Sequence, residues 1–184
     1  MSSMRKIMIE SFPILTVVTI VELLAGILLE LRSETLLTLP ILLVFIPPLN
    51  NLGGSFGCVV SSRISTALSL GDIEPRFVRN ENLEENIISV IIVGVISSIY
   101  LGLVVYIVGY FTGIPSFNVT TSILFGIVSG LMLITPIVGV SVAVAFISWN
   151  LGLDPDNVST PIITAIADAL GISCIMIIMK LFGF

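Results

Sequence analysis

An aspartate in the middle of a long apolar segment is the residue of this sequence with the clearest potential for chemistry. Asp168 lies near the centre of residues 153–184, a segment long enough to cross a bilayer as one helix. A carboxylate at that depth costs about 2.5–3.5 kcal/mol to insert, and it therefore indicates a functional site. At about 100° per residue, Asn157, Pro161 and Thr164 fall on the same side of the helix as Asp168. This polar stripe predicts part of an ion path.

A second carboxylate and two amides lie within other apolar segments. Glu22 is in the middle of the first one, where it either lines the path or is a protonated or hydrogen-bonded packing residue. Asn50 and Asn51 directly follow Pro47 and Pro48, and each proline removes a backbone donor from a helix. The carbonyl oxygens that such a break exposes can coordinate cations. We therefore favour a role in the path for Asn50 and Asn51 over a packing role.

The composition identifies an integral membrane protein. Of the 184 residues, 56% are hydrophobic and 10% are charged, whereas a soluble domain carries about 25% charged residues. The formal charge of −5 argues against a nucleic-acid partner. The sequence has no histidine, the commonest general base, and only one deep aspartate, where an aspartyl intramembrane protease needs two. We therefore do not expect an enzyme.

The apolar segments predict an all-α, polytopic membrane protein that forms a single domain over residues 1–184. Its five transmembrane helices are expected at residues 7–31, 35–69, 87–111, 120–149 and 158–182, with the second helix broken at the double proline. Within that helix, Gly53, Gly57 and Ser61 recur at a spacing typical of close helix packing. The aliphatic face of the fifth helix is expected to face lipid, and it comprises Ile163, Ile166, Leu170 and Ile177.

The distribution of basic residues predicts the orientation of the chain, because an excess of Lys and Arg marks the cytoplasmic side. The side of the N-terminus carries Arg5, Lys6, Arg63, Arg76 and Arg79, and the other side carries Arg32 and Lys180. The N-terminus is therefore expected inside and the C-terminus outside. The acidic cap at residues 154–157 is then at the cytoplasmic mouth.

Two segments of the chain resemble the signature regions of a known family. PPLNNLGGSFGCVVSSRISTALSLG at residues 47–71 and LDPDNVSTPIITAIADALG at residues 153–171 look like those of the MgtE-type divalent-cation transporter membrane domain. The likeness is closer to the archaeal proteins and the eukaryotic solute-carrier magnesium transporters than to bacterial MgtE. It covers nearly the whole chain, since that domain also has five spans with the N-terminus inside.

The resemblance implies a protein of the cell membrane that moves magnesium, and often other divalent cations, through a path between two such domains. Because this chain carries one domain, the resemblance implies a homodimer. By motif match, Asp168 stands where the family's central ion-binding aspartate stands, with Thr164 and Thr160 on adjoining turns. Asn50 to Ser55 match the family's Gly-Asn stretch, although Ser55 replaces an asparagine there, keeping an oxygen but losing the amide.

The candidate ligands are hard oxygen donors, which suit Mg²⁺, and also Mn²⁺ or Ca²⁺, better than they suit soft metals. The predicted metal site comprises Asp168, Thr164, Thr160, Asn50, Asn51, Ser55, Glu22 and Asn157. Since Mg²⁺ dehydrates reluctantly, we expect the protein to hold it largely through its water shell. Two alternatives stay open: a membrane scaffold or regulatory subunit that transports nothing, and a Na⁺- or H⁺-coupled exchanger with Glu22 as its proton site.

Overall fold

The computed structural model describes residues 3–31, 33–73 and 81–181, and within these ranges it contains six helices and no strand. They are α1 (Ser3–Glu30), α2 (Ser33–Thr38), α3 (Ile41–Leu70), α4 (Glu81–Thr112), α5 (Val119–Asn150) and α6 (Pro155–Leu181). All except α2 are long and apolar enough to cross a membrane, which confirms an all-α membrane protein with five spans. The orientation stays a prediction, and Arg32, Arg76 and Arg79, on which it partly depends, lie outside the described residues.

Local polar chemistry sets where several of these helices begin and end. Before α5, the side-chain oxygen of Asn118 accepts a hydrogen bond from the backbone N–H of Thr121 at 2.9 Å. α3 ends at Gly71, whose φ of +80° is a left-handed conformation that a glycine adopts without steric cost. Before α6, Oδ1 of Asp154 accepts from the backbone N–H of Asp156 at 3.1 Å. These caps satisfy backbone groups that a helix terminus leaves unpaired.

The interruption of the second span lies earlier in the chain than predicted. A short turn at residues 39–40 separates α2 from α3, and α3 then continues through Pro47 and Pro48. The prolines remove two backbone hydrogen bonds without ending the helix. Ile46 and Leu49, on either side of them, are buried in the core, and this packing holds the helix together. The prediction that the second helix breaks at the double proline is therefore wrong.

Helix α6 is the centre of the bundle and α1 is its edge. α6 packs against α1, α3 and α5, and 50% of its apolar span is buried, compared with 11% for α1. The expectation that the aliphatic face of α6 meets lipid is wrong for Ile163, which is fully buried in the core. The cause is that neighbouring helices cover α6 on that side. Only towards the end of the helix does an aliphatic residue of this face, Ile177, become exposed.

Small residues allow α4 and α5 to approach each other closely. A Cβ added to Gly126 would lie 2.5 Å from the backbone oxygen of Ser98 and 3.0 Å from Cα of Gly102. A Cβ added to Gly102 would lie 2.5 Å from the backbone oxygen of Ser122. Helices in membranes associate through such small-residue contacts. Gly57 of α3 has the packing role that its spacing predicts, because an added Cβ would overlap side chains of α5 and α6.

We expect Gly126→Ala to lower the thermal unfolding midpoint, because the new methyl group would meet backbone atoms that cannot rotate away. Overpacking of this kind costs about 1–3 kcal/mol. Gly139→Ala, in the same helix, is the control, since an added Cβ there has no atom of the described residues within 4 Å. Equal midpoints for Gly126→Ala and the wild-type protein in one detergent would contradict the close approach of α4 and α5.

Candidate functional site

A groove of about 680 Å³ lies between α1, α3 and α6, and we name it the Asp168 groove. Asp168, the middle residue of α6, is half-buried in its lining. The lining comprises Glu22, Ala25 and Gly26 of α1, Ile46, Pro47, Asn50, Asn51, Gly54, Ser55 and Cys58 of α3, and Thr164, Asp168 and Ile172 of α6. Among the described residues, the lining contains two carboxylates and no basic side chain, so the groove carries a negative charge when both are ionised.

An amide from the neighbouring helix holds the carboxylate of Asp168. The side chain of Asn50 on α3 hydrogen-bonds to Asp168, and because a carboxylate only accepts, the amide NH₂ of Asn50 is the donor. The other end of this amide, Oδ1 of Asn50, is buried and has no hydrogen-bond partner among the described residues. The Asn50 side chain thus has one defined orientation, with its NH₂ group towards the carboxylate.

Thr164 lines the groove one turn before Asp168. Its hydroxyl hydrogen is committed to the backbone, because Oγ1 donates to the carbonyl oxygens of Thr160 at 3.0 Å and Pro161 at 3.1 Å. The lone pairs of Oγ1 therefore stay available for a water molecule or a cation. Thr160 is exposed and hydrogen-bonds to Cys58, which lines the groove, but Thr160 is not itself part of the lining.

The exposed polar residues of the groove come from α1 and α3. Oγ of Ser55 and Oδ1 of Asn51 lie 3.5 Å apart, so α3 presents a hydroxyl and an amide side by side. On α1, Glu22 is followed one turn later by Gly26, where an added Cβ would have no neighbour within 4 Å in the part of the chain that the structure describes. Six of the eight predicted site residues lie together in the groove: Glu22, Asn50, Asn51, Ser55, Thr164 and Asp168.

Asn157 lies outside the groove, near the start of α6, where it joins α6 to α1. Its Nδ2 donates to Oε2 of Glu10 at 3.0 Å, and its backbone carbonyl accepts from Oγ of Ser11 at 3.5 Å. In a regular helix that carbonyl would accept from residue 161, but Pro161 has no N–H to donate. Ser11 therefore replaces the missing partner, and both contacts of Asn157 connect α1 to α6.

We expect Asn157→Ala to loosen α1 from α6 and to leave the affinity for the predicted cation within about threefold of the wild-type value. Its hydrogen bond to Glu10 has a charged acceptor, and such bonds contribute about 1.5–3 kcal/mol, so the unfolding midpoint should fall. Glu10→Gln is the matched partner, and adding it to Asn157→Ala should lower the midpoint little further. An unchanged midpoint with a large loss of cation affinity would instead assign Asn157 to the ion path.

The acidic cap before α6 lines a separate cavity of about 480 Å³ at the predicted cytoplasmic mouth. Its polar lining includes Ser65, Ser69, Asp154 and Asp156.

Within residues 3–31, 33–73 and 81–181, no three or more Cys, Asp or Glu side chains form a group that could hold a metal ion. The polar groups that line the Asp168 groove are two carboxylates, two amides, two hydroxyl groups and one thiol.

Gly26 and Cys58 also line the groove, although the sequence did not predict either of them as a site residue. Helical spacing could have indicated both. Gly26 follows Glu22 by four residues, and Cys58 follows Asn51 by seven, so each pair lies on one helix face. An apolar or glycine residue gives no chemical signal of its own, and only its position relative to a polar residue would have revealed it.

Comparison with known proteins identifies the family of the chain. Residues 46–178, which include α4, α5 and most of α3 and α6, match the family model described as MgtE, divalent cation transporter. Solute carrier family 41 member 3 of Rattus norvegicus is 25% identical over 151 residues, covering 77% of this chain and 31% of that protein. The Mus musculus protein of the same name is 24% identical over 151 residues, covering 77% and 29%.

The chain spans about a third of the length of these relatives. No solved structure gives a significant match. The family match includes Asn50, Thr164 and Asp168, whereas Glu22 on α1 lies before its start. Because the matched region makes up more than half of the sequence and contains most of the groove, the chain belongs to the MgtE family of divalent cation transporters.

Proposed function

We propose that this protein carries Mg²⁺ across the cell membrane along a path that includes the Asp168 groove. The observation that carries the proposal is the position of Asp168, a carboxylate at the centre of an apolar span that opens into a groove. Glu22 adds a second carboxylate to that groove, and the part of the lining that the structure describes includes no basic side chain. A cleft lined by one sign of charge concentrates ions of the opposite sign. Membership of a divalent cation transporter family supports the same function.

The ion in the groove is hydrated and is held mainly through its waters. Six water molecules at about 30 Å³ each occupy roughly 180 Å³, so a cation with a full inner shell fits within the groove volume of about 680 Å³. The carboxylate of Asp168, the amide oxygen of Asn51 and the hydroxyl oxygen of Thr164 are acceptors for the hydrogens of such waters. Mg²⁺ suits this arrangement because it keeps several waters when bound by protein.

The complete site forms between two copies of the chain. Each copy supplies one Asp168, and the two Asp168 carboxylates, facing each other across a two-fold axis, by themselves balance one divalent cation. The two Glu22 side chains add further negative charge to the groove. Glu22, Asn51 and Ser55 are exposed in the single copy, although they lie within apolar spans. Polar side chains at membrane depth face protein or water, so a second copy with water between the two would satisfy them. The resemblance to a family that works as two such domains supports this arrangement.

The membrane potential is sufficient to drive the ion inwards when the N-terminus is cytoplasmic. A divalent cation that crosses a potential of about 100 mV, negative inside, gains about 4.6 kcal/mol, twice the value for one elementary charge. Uptake on these terms needs no coupling ion. Mn²⁺ and Ca²⁺ are also oxygen-seeking cations, and they are the natural competitors for the groove.

Flux into liposomes that contain only this protein tests the proposal. We expect Mg²⁺ uptake that follows the membrane potential and is unchanged when the Na⁺ or pH gradient is removed. Uptake that requires either gradient would favour the coupled exchanger. If folded protein supports no uptake of Mg²⁺, Mn²⁺ or Ca²⁺ under any of these gradients, the protein is a scaffold or regulatory subunit, and the proposal fails.

A further inference from the structure

We infer that Gly171 is a positioning residue for the ion site and acts through Asn50. This inference rests on the proposed function of the Asp168 groove and adds to it a residue that touches no ion. Gly171 is buried in α6, three residues after Asp168, and it is not part of the groove lining. Its importance comes from the side chain that lies against it.

The amide oxygen of Asn50 occupies the space that a side chain at position 171 would need. A Cβ added to Gly171 would overlap Oδ1 of Asn50 and lie 3.0 Å from its Cγ. The same Oδ1 is buried and has no hydrogen-bond partner among the described residues. No hydrogen bond therefore fixes the oxygen end of the amide, and the shape of its surroundings, with the bare Cα of Gly171 on one side, determines where it lies.

The position of the oxygen end determines where the nitrogen end points. With Oδ1 against Gly171, the NH₂ group of Asn50 donates to the carboxylate of Asp168. A buried acceptor without a partner has an energetic cost, and such groups in native proteins call for an explanation. The explanation here is that the opposite orientation would place Oδ1 against the carboxylate, where two acceptors repel. Gly171 thus permits the one orientation that holds Asp168 towards the groove.

The variant Gly171→Ala distinguishes a role of Gly171 in positioning Asn50 from a role in folding. The next neighbour of the added Cβ is Cδ2 of Leu133 at 3.7 Å, which is an ordinary van der Waals contact. The clash is therefore confined to the end of the Asn50 side chain, which can rotate away at small cost to the fold. Rotation removes the hydrogen bond to Asp168, so the carboxylate loses its orientation while the bundle stays intact.

The test is a double-mutant cycle on the complete protein in liposomes, with the wild type, Gly171→Ala, Asn50→Ala and the double variant. We expect each single variant to raise the half-saturating Mg²⁺ concentration by about fivefold to tenfold, the effect of losing a hydrogen bond to a charged group. We expect the double variant to match Asn50→Ala, since the clash disappears once the amide is gone. The unfolding midpoint of Gly171→Ala should stay close to that of Gly139→Ala, the control without neighbouring atoms.

Three results would overturn the inference while leaving the proposed function intact. The first is wild-type Mg²⁺ affinity in Gly171→Ala. The second is a double variant whose loss is the product of the two single losses, because Gly171 would then act independently of Asn50. The third is a collapsed midpoint in Gly171→Ala that persists in the double variant, which would make Gly171 a packing residue. Failure of the proposed function has a different signature, the absence of flux in the wild type, and the inference would fall with it.

Discussion

Asp168→Asn is expected to reduce Mg²⁺ uptake by about 100-fold or more, equivalent to about 2.7 kcal/mol, while the protein stays folded. Two unit charges about 4 Å apart interact by about 4 kcal/mol at an effective dielectric constant of 20, and a divalent ion doubles that value. Even after the loss of hydration offsets much of this attraction, the neutral amide leaves the ion without its main counter-charge. Asparagine has nearly the same shape and can still accept the hydrogen bond from Asn50, so the packing of α6 should be preserved.

The initial rate of Mg²⁺ uptake into liposomes, measured beside the unfolding midpoint, checks this expectation. Glu85→Gln is the control, because Glu85 is an exposed acidic residue of α4 that does not line the groove. It removes the same charge and should leave the rate unchanged. Uptake at the wild-type rate in Asp168→Asn would exclude Asp168 from the ion site.

Glu22→Gln is expected to raise the half-saturating Mg²⁺ concentration about tenfold, equivalent to about 1.4 kcal/mol. Glu22 lines the same groove as Asp168 but is exposed, so water and salt screen its charge more than that of the half-buried aspartate. We therefore expect a smaller effect than for Asp168, seen mainly in affinity. The maximal rate should fall less, because the central carboxylate is retained.

Uptake as a function of Mg²⁺ concentration, with and without a pH gradient, measures this effect and tests the exchanger alternative. Glu30→Gln is the matched control, since Glu30 is exposed on the same helix and lies outside the Asp168 groove. If a pH gradient drives uptake in the wild type and no longer does so in Glu22→Gln, Glu22 is a proton site and the protein is an exchanger. If Glu22→Gln has the Mg²⁺ affinity of the wild type and the same response to a pH gradient, Glu22 is a packing residue.

The spans and the central aspartate could be predicted because the bilayer imposes the same requirement on every chain that crosses it. A membrane span needs about 20 apolar residues in a helix, so the five helices follow from hydropathy alone. For the same reason a carboxylate such as Asp168 stands out, since its cost in an apolar span needs a compensating role. Six of the eight candidate site residues line one groove, and their role in holding an ion stays a prediction.

Contacts between helices distant in the sequence could not be predicted. Ile163 has the composition of a lipid-facing residue, and only the surrounding helices make it a core residue. Asn157 has the chemistry of an ion ligand, and its partner Glu10 is 147 residues away in the chain. Pro47 and Pro48 indicate a broken helix, but tertiary packing keeps α3 continuous through them. In each case a neighbouring helix supplies a contact that the local sequence does not indicate.

The most direct test of the central claim is to locate a bound divalent cation by anomalous scattering from Mn²⁺ in crystals of the complete protein. Mn²⁺ takes oxygen ligands as Mg²⁺ does, and unlike Mg²⁺ it gives a strong anomalous signal. We predict a peak in the Asp168 groove, about 4 Å from the carboxylate with a water between them, that excess Mg²⁺ abolishes. A groove without a peak, together with Mn²⁺ bound only in the cavity beside Asp154 and Asp156, would contradict the account.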